Sequence, residues 1–162
     1  MKLLIFAVGN SMRGDDGIAS YIVEQINKKL LESSRQGQTG DKVDIYAVDC
    51  GTTPENYTSI VSRYKPEKLV LLDAAEMGLA PGSYRIIPPE RMGVMTMSTH
   101  NIPLSLFVNY LKESCDEIFL LGVQPKNMRM FTELSSEVRE AGDELVIMLL
   151  NEGIDRIETL NG

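Results

Sequence analysis

The chain has 162 residues, 43% of them hydrophobic and 24% charged, with a net charge of −7. Such a chain buries a core in one domain, which excludes intrinsic disorder. The acidic balance without a Lys/Arg-rich run predicts no nucleic-acid partner, and no apolar run is long enough for insertion into a membrane.

Residues 2–8 (KLLIFAV) are a continuous apolar run, the pattern of a strand buried on both faces. Gly9-Asn10 cuts that run short and no cleavage site follows, so it is read as a strand and not as a signal peptide. Two cysteines, Cys50 and Cys115, make no disulfide framework, which predicts a cytoplasmic chain with free thiols. The sequon Asn56-Tyr57-Thr58 has no meaning in that compartment.

A helix follows the first strand, with Ile18, Ile22, Ile26 and Leu30 on one stripe beside Ala19 and Val23. Asp15 and Asp16 stand at its start, where negative charge suits the helix dipole. Residues 33–41 read as a surface loop and 43–48 (VDIYAV) as the second strand. Pro54 opens a short helix to about Tyr64, and 68–72 (KLVLL) are the third strand. Ala80-Pro81-Gly82 turns into a fourth strand, Ser83 to Ile87, by a link too short for a helical crossover, so that strand is free to run antiparallel. Pro103 sits in the first turn of a helix with Leu104, Phe107, Val108 and Leu111 on one face. Residues 117–123 (EIFLLGV) are the fifth strand, and the last helix carries Leu134, Val138, Ala141, Leu145 and Leu149. Residues 151–162 read as a tail. The expected fold is α/β: one domain over 1–162, a three-layer sandwich whose sheet has about five mostly parallel strands with helices on both faces.

In such sheets the ligand crevice lies beyond the carboxyl ends of the strands. The loop Gly9-Asn10-Ser11-Met12-Arg13-Gly14-Asp15-Asp16-Gly17 has the GxxxxG spacing of a phosphate-binding loop, but Asp15 and Asp16 stand where Lys and Ser/Thr are needed. It offers a carboxylate to a cation instead, and the helix N-terminus favours the ionised form. Asp73 ends the third strand, and His100 is the only histidine, just before a helix. Asp16, Asp73 and His100 together would present two oxygens and one nitrogen with open positions, a set suited to nickel or zinc. Taken alone, a single loop histidine reads sooner as a residue with no role than as a ligand. Ser11 fails the GxSxG pattern, and a Cys50–His100 pair competes with plain packing of both thiols. The nine methionines, among them Met92, Met95 and Met97, read as adaptable packing against a partner.

The first loop, then Asp73-Ala74, then Ser98-Thr99-His100-Asn101-Ile102-Pro103-Leu104 resemble the nickel–iron hydrogenase maturation endopeptidases, nearest the branch that processes the hydrogenase-3 type large subunit. Thr53-Pro54-Glu55-Asn56, Met77-Gly78-Leu79, Pro81-Gly82, Arg85-Ile86-Ile87 and Phe119 to Pro125 add to the likeness, which covers roughly residues 3 to 150. The resemblance implies removal of a C-terminal extension from a hydrogenase large-subunit precursor after nickel insertion. Nickel would be carried by the precursor as the recognition element. Asp16, Asp73 and His100 fall on the nickel-contacting positions; Asp16 first, then Asp73, are the expected catalytic carboxylates. Asn10, Asp49, Cys50, Gly51 and Thr52 are expected to bind substrate. Many relatives have glycine where this chain has Cys50, which puts the carry-over to Asp49, Gly51 and Thr52 in question. A non-catalytic nickel-binding or chaperone module for hydrogenase assembly would use the same trio. Peptidyl-tRNA hydrolases share a related architecture, but this chain is acidic and His100 is not in its early loop.

Overall fold

The computed structural model describes residues 2–36, 44–95 and 104–161. Five strands form one sheet: β1 (Lys2–Ala7), β2 (Asp44–Asp49), β3 (Lys68–Ala74), β4 (Tyr84–Ile86) and β5 (Glu117–Val123). Their order is β2-β1-β3-β5-β4. β1, β2, β3 and β5 are parallel, and β4 runs antiparallel to β5, as the short link before it predicts. The helices are α1 (Ile18–Arg35), α2 (Thr58–Tyr64), α3 (Leu104–Leu111) and α4 (Ser136–Leu150).

Strand alternation sorts the apolar residues into two cores. Leu3, Ile5 and Ala7 of β1 and Val70, Leu72 and Ala74 of β3 pack with Ile18, Ile22 and Ile26 of α1 and Val138, Leu145 and Leu149 of α4. Leu4 and Phe6, with Leu69 and Leu71, pack on the other face with Val61 of α2 and Phe107, Val108 and Leu111 of α3. Each fully buried Leu, Ile or Phe contributes about 1.5–3 kcal/mol, so both faces of β1 hold the sheet between its helix layers. β2 at the edge is half solvated, which is why its apolar pattern is the weaker one.

Three boundaries differ from the sequence reading. Ser33, Ser34 and Arg35 extend α1 by most of a turn, because polar residues continue a helix whose packed stripe is already anchored. Leu134 precedes α4: Ser135 has extended backbone and stands at the N-cap position, so the helix begins at Ser136. Residues after Gly153 pack. A 3-10 turn spans Gly153–Arg156, and Ile154, Ile157 and Leu160 are buried. The Leu160 N–H donates to Ile86 O and the Ile86 N–H to Glu158 O, so this segment covers the free side of β4.

Chain order sets where a ligand enters. From β1 the chain crosses to β2 on one side, then returns past β1 to β3 on the other. The carboxyl ends of β1 and β3 therefore flank a topological switch point, where open α/β sheets leave a crevice.

Candidate functional site

Asp16 follows β1 in a 3-10 turn, Gly14–Gly17, and is fully buried. That turn packs against β3. Its Oδ2 accepts the Asn10 N–H at 3.0 Å, and Arg13 Nη1 lies 3.9 Å away. Gly9 makes this loop possible: at φ +151° a Cβ would fall on the carbonyl oxygen of Asp16, so only glycine lets the strand end pass so close. Asp73 is the sixth residue of β3, 2% exposed, opposite Gly122 of β5. By alternation it shares the face of Leu69 and Leu71, the α2–α3 side of the sheet. Burying carboxylates is costly, so a fold keeps them only where partners or function require them.

Backbone bonds tie the loops at this edge together. The Val8 N–H donates to Leu72 O, the Gly9 N–H to Gly51 O and the Cys50 N–H to Ala7 O. Asn10, Asp16, Cys50 and Gly51 therefore belong to one connected cluster. Within it, Asp49 turns back on its own loop: Oδ1 accepts the Gly51 N–H at 3.0 Å and Oδ2 the Ser20 hydroxyl at 2.8 Å. Thr52 is exposed, and Cys50 is buried. Burial, aided by Asp49 and Glu55, pushes the Cys50 thiol well up from its ordinary value, so it stays protonated and is a poor nucleophile. His100 lies outside the described residues, as does Met97. Among the described residues, no group of three or more His, Cys, Asp or Glu comes together to hold a metal.

Two further buried polar residues brace the site, in roles that the sequence segments holding them do not announce. Asp15, fully buried beside Asp16, accepts the N–H groups of Lys126, Asn127 and Ser135 and the Ser135 hydroxyl, all within 2.6–2.8 Å. It spans the start and end of the loop between β5 and α4. The Ser135 hydroxyl donates to Asp15 and makes no capping bond to the N-terminal N–H groups of α4. Gln124, 3% exposed, does the same for the loop after β3: its Oε1 accepts the N–H groups of Met77 and Leu79, and its Nε2 donates to Glu76 Oε2. In the sequence Asp15 lies in the loop 9–17 and Gln124 in the segment 119–125, but neither segment announces the distant backbone groups these side chains hold.

Comparison with known proteins places these loops in a family. The HycI family model, hydrogenase maturation protease, matches residues 21–152, which takes in Asp73 and His100 and starts just after Asp16. The hydrogenase 3 maturation protease of Escherichia coli K12 is 32% identical over 142 residues, covering 87% of this chain and 84% of that one. A crystal structure of the hydrogenase 3 maturation protease superposes with a TM-score of 0.81 at 30% identity, over 100% of this chain and 98% of that one. The nickel–iron hydrogenase maturation protease HycI of Thermococcus kodakarensis gives a TM-score of 0.76 at 27% identity, over 94% and 92%.

Proposed function

The chain belongs to the hydrogenase maturation protease family, and on that premise we propose that it is the endopeptidase that removes the C-terminal extension of a nickel–iron hydrogenase large-subunit precursor. The observation that carries this reading is the pair of buried carboxylates, Asp16 and Asp73, on the two sides of the crevice between β1 and β3. Nickel enters as part of the substrate, already seated in the precursor. Asp16, Asp73 and His100 contact it as hard and borderline donors and leave coordination positions to the precursor's own ligands. The metal thereby fixes the scissile bond in the crevice, and positioning of this kind supplies much of the rate.

Hydrolysis then needs a base and an acid. Asp16 takes a proton from water as the oxygen attacks the carbonyl carbon; the C–N bond breaks and the proton passes to the leaving amine. Asp73 is the second choice for that base. A nickel ion seated in the precursor, held by Asp16, Asp73 and His100, would supply Lewis-acid polarisation of the carbonyl. Asn10 orients Asp16 through its N–H, and the loop Asp49–Thr52 borders the substrate path.

Intact-mass spectrometry of the precursor, with and without nickel, tests this. Loss of the C-terminal peptide only with nickel, and only with Asp16, Asp73 and His100 intact, is the expected result. Complex formation with no change of mass would replace the protease by a binding module. Cleavage that ignores nickel would remove the metal from recognition.

A further inference from the structure

Three large apolar side chains stand in solvent beside the Asp16 loop: Met12 is 52% exposed, Met130 48% and Phe131 79%. They come from two loops but form one patch, because the Phe131 N–H donates to Met12 O at 2.6 Å. Phe131 holds φ at +60°, a conformation that bulky residues rarely adopt and that persists where the surroundings impose it. The surroundings do impose it. Asp15 grips Lys126, Asn127 and Ser135 at the two ends of this loop. Within it the Thr132 hydroxyl donates to Arg129 O, and the Arg129 N–H donates to Asn127 Oδ1. The loop thus displays Met130 and Phe131 in a preorganised form, which lowers the entropy lost on binding.

The patch is continuous with the candidate site. The Met12 N–H donates to Asn10 Oδ1, and the Asn10 N–H donates to Asp16 Oδ2. Two guanidinium groups flank it, half-buried Arg13 and exposed Arg129, in a chain of net charge −7. An aromatic, methionines and arginines are the residue types enriched in protein-binding surfaces, and methionine adapts to varied apolar shapes.

We infer that Met12, Met130 and Phe131, with Arg13 and Arg129, dock the substrate protein outside the scissile bond. The segment they take has an apolar side chain beside carboxylates, matching an apolar patch with a cationic rim. This rests on the function proposed above, since the docked protein is the hydrogenase large-subunit precursor.

The test uses the intact chain and nickel-loaded precursor, with two readouts: equilibrium binding, and single-turnover cleavage with the protein in excess. Phe131→Asn keeps a residue that tolerates the left-handed backbone. Its affinity and half-saturating concentration should worsen about tenfold, as for a central aromatic contact. The limiting cleavage rate should stay within about twofold, the mark of a lost binding contact. The double variant Met12→Ser/Met130→Ser should behave alike, and Arg129→Glu should weaken binding most at low salt. Ile147→Ser, 59% exposed on α4, is the control and should bind as the unaltered chain does. Unchanged affinity in all three patch variants, an equal loss in the control, or no binding by the unaltered chain would overturn the inference. If the unaltered chain binds but never cleaves, the protease reading falls, and the binding ratios alone decide for or against the docking site.

Discussion

The two ends of the sheet handle charge in opposite ways. At the amino ends of β3 and β5 lies a cleft of about 660 Å³ bordered by Lys65, Glu67, Lys68, Glu113, Asp116 and Glu117. Its charges are mostly exposed, and Lys68 is matched by Asp155 at 2.8 Å and Glu117 at 3.9 Å. At the carboxyl ends, three aspartates, Asp15, Asp16 and Asp73, are almost wholly buried. The proposed chemistry uses the second pattern. A charge in water is screened and costs little to keep, whereas a charge withdrawn from water has to be held by specific partners and acts at full strength on whatever enters.

The largest expected effect tests that choice directly. Asp16→Asn and Asp73→Asn keep the shape of the side chain and remove its charge and basicity. Each should lower the single-turnover rate of precursor cleavage by about a thousandfold. Circular dichroism and the urea midpoint should report a folded protein in both. A rate within a few-fold of the unaltered chain would move the catalytic base elsewhere.

Within the carboxyl end, Asp15 and Asp16 are neighbours with different work. Asp15 is saturated by three N–H groups and a hydroxyl, so it is structural. Asp15→Ala strands those N–H groups, and a change of this kind costs about 3 kcal/mol. For a chain of this size that is a fall in Tm of about 10 °C. The precursor affinity should fall as well, since the loop displaying Phe131 loses its grip. A Tm unchanged by Asp15→Ala would mean that the clamp carries no net stability.

How much of this was readable in the sequence depends on range. β1, β3 and β5 are apolar runs whose neighbours in the chain already mark them as strands. The antiparallel β4 followed from the shortness of one link. Asp16 and Asp73 are proposed from the sequence because one lies in the loop after β1 and the other near the carboxyl end of β3, the edge where such sheets take ligands. Asp15 gave only its charge at a helix start; the groups that claim it lie more than 100 residues away, where no local pattern reaches. Gln124 looked like one more strand-end residue, yet it fixes the loop holding Met77 and Leu79. Leu160 follows Ile154 and Ile157 at intervals of three in a segment too short for a helical reading, and its place beside β4 is set by backbone bonds to Ile86. The path of Asp49 back to Ser20 is likewise a tertiary fact.

The thiols sharpen the comparison further. Burial pushes both Cys50 and Cys115 up from the ordinary cysteine value. Iodoacetamide at pH 8 should alkylate the folded chain on the order of 100-fold more slowly than the urea-unfolded chain, because reaction needs an accessible thiolate. The same shift has a sign for stability. The unfolded thiol ionises near pH ~8.5 while the folded one keeps its proton, so stability is full below that pH and declines as pH rises above it. Fast alkylation of Cys50 at neutral pH would restore the thiol as a nucleophile and reopen the sulfur reading of this site.

The smallest expected effect belongs to the amino end, and it decides whether that cleft is anything more than surface. Lys68 bonds Asp155 and lies 5.8 Å from the ring centre of Phe119, and the bond to Asp155 raises its ammonium above the ordinary lysine range. Lys68→Met keeps the stem over the ring and deletes the charge. Exposed pairs of this kind are worth about 1 kcal/mol or less, and raised salt should erase most of the difference. Cleavage of the precursor should be unaffected, because the substitution sits at the end of the strands opposite Asp16 and Asp73. A loss of cleavage from Lys68→Met without a matching loss of stability would mean that the precursor reaches round to the amino edge, and the division of labour between the two ends would have to be redrawn.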